Sequence, residues 1–271
     1  MHALSMRVPA ALLVAVASAG GASSARAQIA VVTSTVQERA AAPGESYVGT
    51  IRVLNSSAQP QAVRIYQTDY QFFADGTSHF DAPGSTVRSN ARWVTPSTSQ
   101  LVVPPGADVG LTYVVAVPPG DTLAGTYWST VMVEGVPNTP NAAPAPGRGQ
   151  VGVGAVVRYA VQVATHVSGG SRRVSFTGLR AEEQRDSTRA LELVVRNDGS
   201  RAYRPVLWME LYDESGALVV RKQQDRGLLY PGTSLKQRFE LGRLPAGAYK
   251  VVLFADTGDE AVYAVPYKLK L

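Results

Sequence analysis

The sequence predicts an all-β protein: two tandem immunoglobulin-like β-sandwich domains behind a cleavable secretory leader. Three observations predict it. Helical periodicity is nearly absent, and in its place stand short runs of alternating apolar residues, each closed by Gly, Pro, Asn or Asp; this is the pattern of strands and turns in a sandwich or barrel. One strand-and-turn pattern is written twice along the chain. The N-terminus carries the charge, apolar run and small residues of an export signal.

The leader comes first. Arg7 supplies its positive region, Val8 to Gly20 its apolar run, and Ala25-Arg26-Ala27 a small-x-small cleavage pattern before Gln28. The apolar run falls short of the ~20 residues that span a bilayer. Residues 1–27 are therefore expected to be a signal peptide, and the mature chain to be periplasmic or secreted, without an integral membrane anchor. The 271 residues include no Cys, which removes disulfides, thiolate nucleophiles and Cys metal sites together. The exported chain must fold on core packing, and its length suits two domains of about 100–120 residues.

Strands are expected at Tyr47–Leu54, Ala62–Tyr66, Val109–Val117, Tyr127–Val133, Leu191–Val195, Val206–Tyr212, Tyr249–Phe254 and Tyr263–Leu271. The repeat runs through them. A strand ending at Asn55 turns into Ala62–Tyr66, and a strand ending at Asn197 turns into Val206–Tyr212. Later, Pro104-Pro105-Gly106 leads to Gly125-Thr126-Tyr127, and Pro231-Gly232 leads to Gly247-Ala248-Tyr249. Two copies at this spacing read as two copies of one sandwich. Tyr127 and Tyr249 are each placed to form a tyrosine corner. The first copy holds a long insertion, about 69–90, with a hairpin turn at Asp75-Gly76. Residues 136–149, rich in Pro, Gly, Asn and Ala, read as a mobile loop within the first domain. The boundary is placed at Ser168-Gly169-Gly170, giving domains 28–168 and 171–271.

The segment after that loop alternates without a break: Val151, Val153, Ala155, Val157, Tyr159, Val161 and Val163 occupy the odd positions, with Arg158 and Gln162 between them. At ~3.3 Å per residue it would reach about 40 Å, longer than most strands.

Catalytic and cofactor chemistry finds little purchase. Of three His, His2 leaves with the leader, His79 lies in a polar loop and His166 near the domain junction; none has metal-ligand spacing or adjoins a nucleophile turn. The Asp residues read as turn formers. Without Arg7 and Arg26, 24 basic side chains face 21 acidic ones, a net charge of +3 with no basic run, so a nucleic-acid footprint is not expected. The expectation is a non-enzyme without cofactors.

The run Trp93-Val94-Thr95-Pro96, Leu101 to Gly106, Tyr113 to Pro118, the loop, and the alternating strand from Val151 resemble the N-terminal domain of PapD-like periplasmic pilus chaperones. The same residues are also similar to WxL-interacting cell-surface proteins. The resemblance implies strand donation: a partner lacking one strand would receive an edge strand, with Val151, Val153, Ala155, Val157 and Tyr159 as the inserted side chains and Arg158 as the strand's basic residue. The implied partner is an exported or surface protein subunit, and the implied role a periplasmic chaperone-like or accessory protein; the alternative is a cell-envelope scaffold binding glycan or protein. The pattern departs from the family where a basic pair holds a subunit's carboxylate. The first strand, Ile29–Val36, has no basic residue, Arg39 is the nearest, and the second position falls near Gln162.

Overall fold

A computed structural model describes residues 28–137, 156–185, 187–258 and 262–271. The expected signal peptide, most of the 136–149 loop, and Val151, Val153 and Ala155 lie outside the described residues.

The first ten strands build one sandwich. They are β1 (Ile29–Val31), β2 (Val36–Ala40), β3 (Ser46–Asn55), β4 (Gln61–Phe72), β5 (Ser78–Asp81), β6 (Val94–Pro96), β7 (Gln100–Val103), β8 (Asp108–Ala116), β9 (Gly125–Gly135) and β10 (Arg158–Val167). One sheet runs β1-β3-β8-β6 and the other β2-β10-β9-β4-β5, with β7 also on β4. Sequential strands change sheets in the Greek-key manner of immunoglobulin-like sandwiches. Seven more strands repeat the plan: β11 (Val174–Glu183), β12 (Arg189–Asn197), β13 (Val206–Tyr212), β14 (Leu218–Asp225), β15 (Ser234–Gly242), β16 (Ala248–Asp256) and β17 (Val262–Lys270). Their sheets are β11-β12-β15 and β14-β13-β16-β17. The fold class is the expected one, and all eight expected strands are present.

Period-2 alternation becomes two cores because alternate side chains point to opposite faces. Ile51, Val53, Leu111, Val115, Val131 and Val161 close the first core. Leu191, Leu193, Leu207, Met209, Val251 and Leu253 close the second. At ~25 cal/mol per Å² of apolar area, this packing replaces the crosslinks that a chain without Cys cannot make.

The repeat extends to single hydrogen bonds. Asn55 and Asn197 are both fully buried. The Asn55 side-chain amide donates to the carbonyls of Gln59 (2.7 Å) and Val103 (3.0 Å), and its Oδ1 accepts from the Ser57 amide (2.9 Å). Asn197 does the same with Arg201 (2.8 Å), Leu229 (2.9 Å) and Gly199 (2.9 Å). Its backbone N–H reaches Thr233, the residue after Gly232, just as Asn55 reaches Ala107, the residue after Gly106. A buried Asn is tolerated because its donors and acceptor are satisfied. In each sandwich it fastens the first turn to the Pro-Gly turn.

Two expectations need correction. Tyr249 forms the tyrosine corner, its hydroxyl donating to the Pro245 carbonyl at 3.0 Å. Tyr127 instead lays its ring on Trp93, 4.7 Å between centroids, with the Arg88 guanidinium 5.3 Å from its centroid. The expected first strand, Ile29–Val36, is broken at the polar Thr33-Ser34-Thr35: β1 pairs antiparallel with β3 in one sheet, and β2 crosses over to pair parallel with β10 in the other.

The insertion is a hairpin, β4–β5, followed by a loop gathered around buried Asp69. Its carboxylate accepts the amides of Gly84 (3.2 Å) and Thr86 (2.7 Å) and the Ser89 hydroxyl (2.5 Å). Asp75 accepts the Thr77 amide at 2.9 Å, so both serve local turns as expected. The hairpin reaches the second sandwich, where the Ala74 amide donates to Ser234 Oγ at 3.1 Å.

Candidate functional site

The alternating segment that sequence singled out enters the described structure at Val156. From Arg158 it is β10, antiparallel to β9 from Arg158↔Glu134 to Val167↔Gly125. Along its odd positions, Val163 and Val161 lie in the core at 1% and 0% exposure. Tyr159 is half-buried and its hydroxyl donates to the Ile29 carbonyl at 3.1 Å. Val157, one residue before the strand, is half-buried, and its carbonyl accepts the Gly135 amide at 3.2 Å. One apolar face thus begins as core and emerges at the end of the sandwich.

The other side of β10 is covered only in part. β2 pairs with Gln162 to His166 and with nothing earlier. Among the described residues, no strand pairs with Arg158 to Val161 on the side away from β9. The break at Thr33-Ser34-Thr35 is the cause: when the N-terminal strand changes sheets, it leaves β10 short of a neighbour.

Arg158 lies on the opposite face from these valines. Its Nε is 2.5 Å from Glu134 Oε2, and Glu134 also takes Arg64 (2.8 Å) and the Tyr66 hydroxyl (2.9 Å). The strand's one basic side chain is therefore engaged by its own sheet. Two exposed valines flank this end: Val156 just before Val157, and Val136 just after Gly135, whose amide donates to the Val157 carbonyl; they are 44% and 41% exposed.

A second concentration of polar groups lies where the sandwiches meet. Trp128 stacks on Tyr230 at 4.6 Å and donates from Nε1 to the Tyr70 carbonyl at 2.6 Å. Gly125 has φ +86°, and an added Cβ would lie 2.1 Å from the Ser200 carbonyl oxygen, so only glycine permits this approach. Beside it, His166 Nε2 is 3.1 Å from Glu38, His166 Nδ1 is 2.9 Å from Thr126 Oγ1, and Thr126 Oγ1 accepts the Ala202 amide at 2.8 Å. Arg204 closes on the other oxygen of Glu38. Because Nε2 faces a carboxylate, it carries the proton, and Nδ1 accepts from Thr126. Burial lowers the His166 pKa against the opposing pull of Glu38, while Arg201 and Arg204 lower it further. Burial raises the Glu38 pKa, but Arg204 and His166 outweigh it and hold the carboxyl below its ordinary value.

Hydroxyl, imidazole and carboxylate in a row suggest a nucleophilic relay, which sequence spacing did not reveal. Thr126 is fully buried and already receives an amide proton, so its oxygen meets no substrate. The row ties one sandwich to the other. His79, the other candidate, lies in β5 with its ring 5.5 Å from Phe73. Among the described residues, no group of three or more His, Asp or Glu could hold a metal ion, and no helix is long and apolar enough to cross a membrane. Arg39, nearest to the family's basic position, sits in β2 opposite Thr165 with its guanidinium 5.0 Å from the Tyr47 ring centroid.

No protein-family model matches the sequence, and no curated protein is similar to it. Solved structures are. The class 5 fimbriae chaperone CfaA is 13% identical, with 88% of this chain and 98% of that one covered at a TM-score of 0.45. The CsuC–CsuE chaperone–tip adhesion subunit pre-assembly complex from archaic chaperone-usher Csu pili of Acinetobacter baumannii is 12% identical, with 89% and 98% covered at 0.44. The Salmonella enterica SafA pilin in complex with the SafB chaperone is 13% identical, with 90% and 96% covered at 0.38.

Proposed function

We propose that this chain is a chaperone-like protein of the cell envelope that captures an exported subunit by strand addition at β10. One observation carries the reading. Arg158 to Val161 are hydrogen-bonded on a single side, while the apolar face they share with the core continues outward through Tyr159 and Val157. An open edge offers unpaired backbone donors and acceptors, and alternate apolar side chains offer selectivity; together they are what β-augmentation needs. Val151, Val153 and Ala155 extend the same sequence alternation and would lengthen the donated face. Arg158, already held by Glu134, would fix the strand rather than contact the partner. The role is the one named for the fimbrial chaperones above, and a chain with this role would work in the periplasm.

Co-purification from an envelope extract tests the proposal. The expected result is an exported client lacking a strand of its own, lost when Val157→Asp puts a charge on the emerging face, while the melting temperature holds. A folded Val157→Asp protein that keeps its client would overturn the reading, as would a client that is a folded protein or a glycan polymer.

A further inference from the structure

The second sandwich carries a separate surface that the proposed capture of a subunit does not use. Its sheet β14-β13-β16-β17 turns one face to solvent. On that face Lys250 of β16 stands directly opposite Lys268 of β17, and Ala248 opposite Lys270. All three lysines are exposed, and none takes part in an ion pair among the described residues. Like charges directly opposite on one sheet face repel and destabilise the pair.

The lysines border a groove of about 850 Å³, with Tyr212 and Val252 also in its wall. Two acids, Asp213 and Glu214, also line it, and both are hydrogen-bonded to backbone amides. Asp213 accepts the amides of Ser215 (2.9 Å) and Ala217 (3.0 Å), and Glu214 accepts the Ala248 amide (3.3 Å). Both keep their negative charge, and Lys250, Lys268 and Lys270 outnumber them, so the lining carries a net positive charge.

We propose that it docks an extended acidic segment of a partner protein. Lys268 and Lys270 are alternate residues of one strand, ~6.6 Å apart. An extended peptide with Asp or Glu at alternate positions presents charges at the same interval and rests its intervening side chains on Tyr212 and Val252. Lysine suits this partner because it is a mobile point charge without the planar fork of arginine. The free N–H and C=O edge of β17 is not the contact: Pro266 supplies no donor there.

The test titrates the full mature chain into a fluorescein-labelled peptide of alternating Glu and Val and follows anisotropy. Binding is expected at low salt, weakening as salt rises. Lys268→Glu should weaken it by about tenfold or more, a ~1.4 kcal/mol effect, whereas the same charge change at Lys222, outside the groove, should not. Lys268→Glu should also melt no lower than wild type, since it replaces a repulsion with an attraction; if it does melt lower, Lys268→Gln serves in its place. Absence of peptide binding, or binding indifferent to Lys268, overturns the proposal. So does preferential binding of heparin or of vesicles containing phosphatidylglycerol, which would reassign the groove to a glycan or a lipid surface.

Discussion

The last strands of the two sandwiches occupy the same place in the same topology and are treated in opposite ways. Among the described residues β17 pairs with no strand besides β16, yet it is blunted: Pro266 withholds a donor, and Lys268 and Lys270 line its exposed side. These are the usual defences of an edge against unwanted pairing. β10 is shielded by β2 along half its length, and where the shield stops its residues are Arg158, tied to Glu134, then Tyr159, Ala160 and Val161, with Val157 before them. One terminal edge is protected by proline and lysine and the equivalent one is not, a contrast that fits the strand addition proposed above.

The sharpest way to break the comparison is a pair of charges on one face. Val161→Asp buries an unpaired carboxylate at a position with 0% exposure, which costs several kcal/mol; the first sandwich should lose its cooperative melt. Val157→Asp, two pairs of residues further out, should melt nearly as wild type and lose only its partner. Circular dichroism melts of both variants decide it, and equal destabilisation would make the outer face ordinary core.

Next in size are the two buried asparagines. Asn55→Ala and Asn197→Ala each strand buried carbonyls, at ~1–3 kcal/mol apiece. If the sandwiches melt separately, each change should lower one transition and spare the other. Differential scanning calorimetry reads this directly. Proteins spanning residues 28–168 and 171–271 sharpen the same point: each should melt cooperatively alone.

Acid should loosen the junction. His166 titrates lower in the folded chain than its ordinary value of 6.5 because burial disfavours its charged form, so the folded state binds fewer protons and its stability falls as pH drops below that value. Glu38, also lowered, adds a loss of the same sign at more acid pH. Fluorescence of Trp128, stacked on Tyr230, should report a step that His166→Gln removes. The smallest expected effect is at β17: Pro266→Val restores an edge donor and should raise self-association, measured by sedimentation at high concentration, with little change in melting.

Much of this was legible in the sequence. Most of the eight expected strands alternate buried and exposed residues, so period 2 marked them, and β9, buried on both faces along most of its length, stood out by its apolar and aromatic run. β14 escaped because Leu218 to Asp225 is exposed nearly throughout and does not alternate, and β5, β6 and β7 because each is four residues or shorter. The apolar face of Val157, Tyr159 and Val161 was readable for the same reason as the strands. That its edge lies open was not, since openness depends on where β2 pairs, more than 120 residues away in sequence, as Gln162↔Val36 shows. The Thr126–His166–Glu38 row was hidden likewise: its three members come from three strands, and spacing along the chain says nothing of it.

That row has one more property. It starts at the Ala202 amide and ends at the Arg204 guanidinium, two points of the second sandwich separated by a single residue, and passes through three side chains of the first sandwich on the way. It is a closed circuit, so a hinge motion at either contact strains the other. The junction should therefore behave as a catch that is either shut or released, and the angle between the two sandwiches should take discrete values instead of drifting.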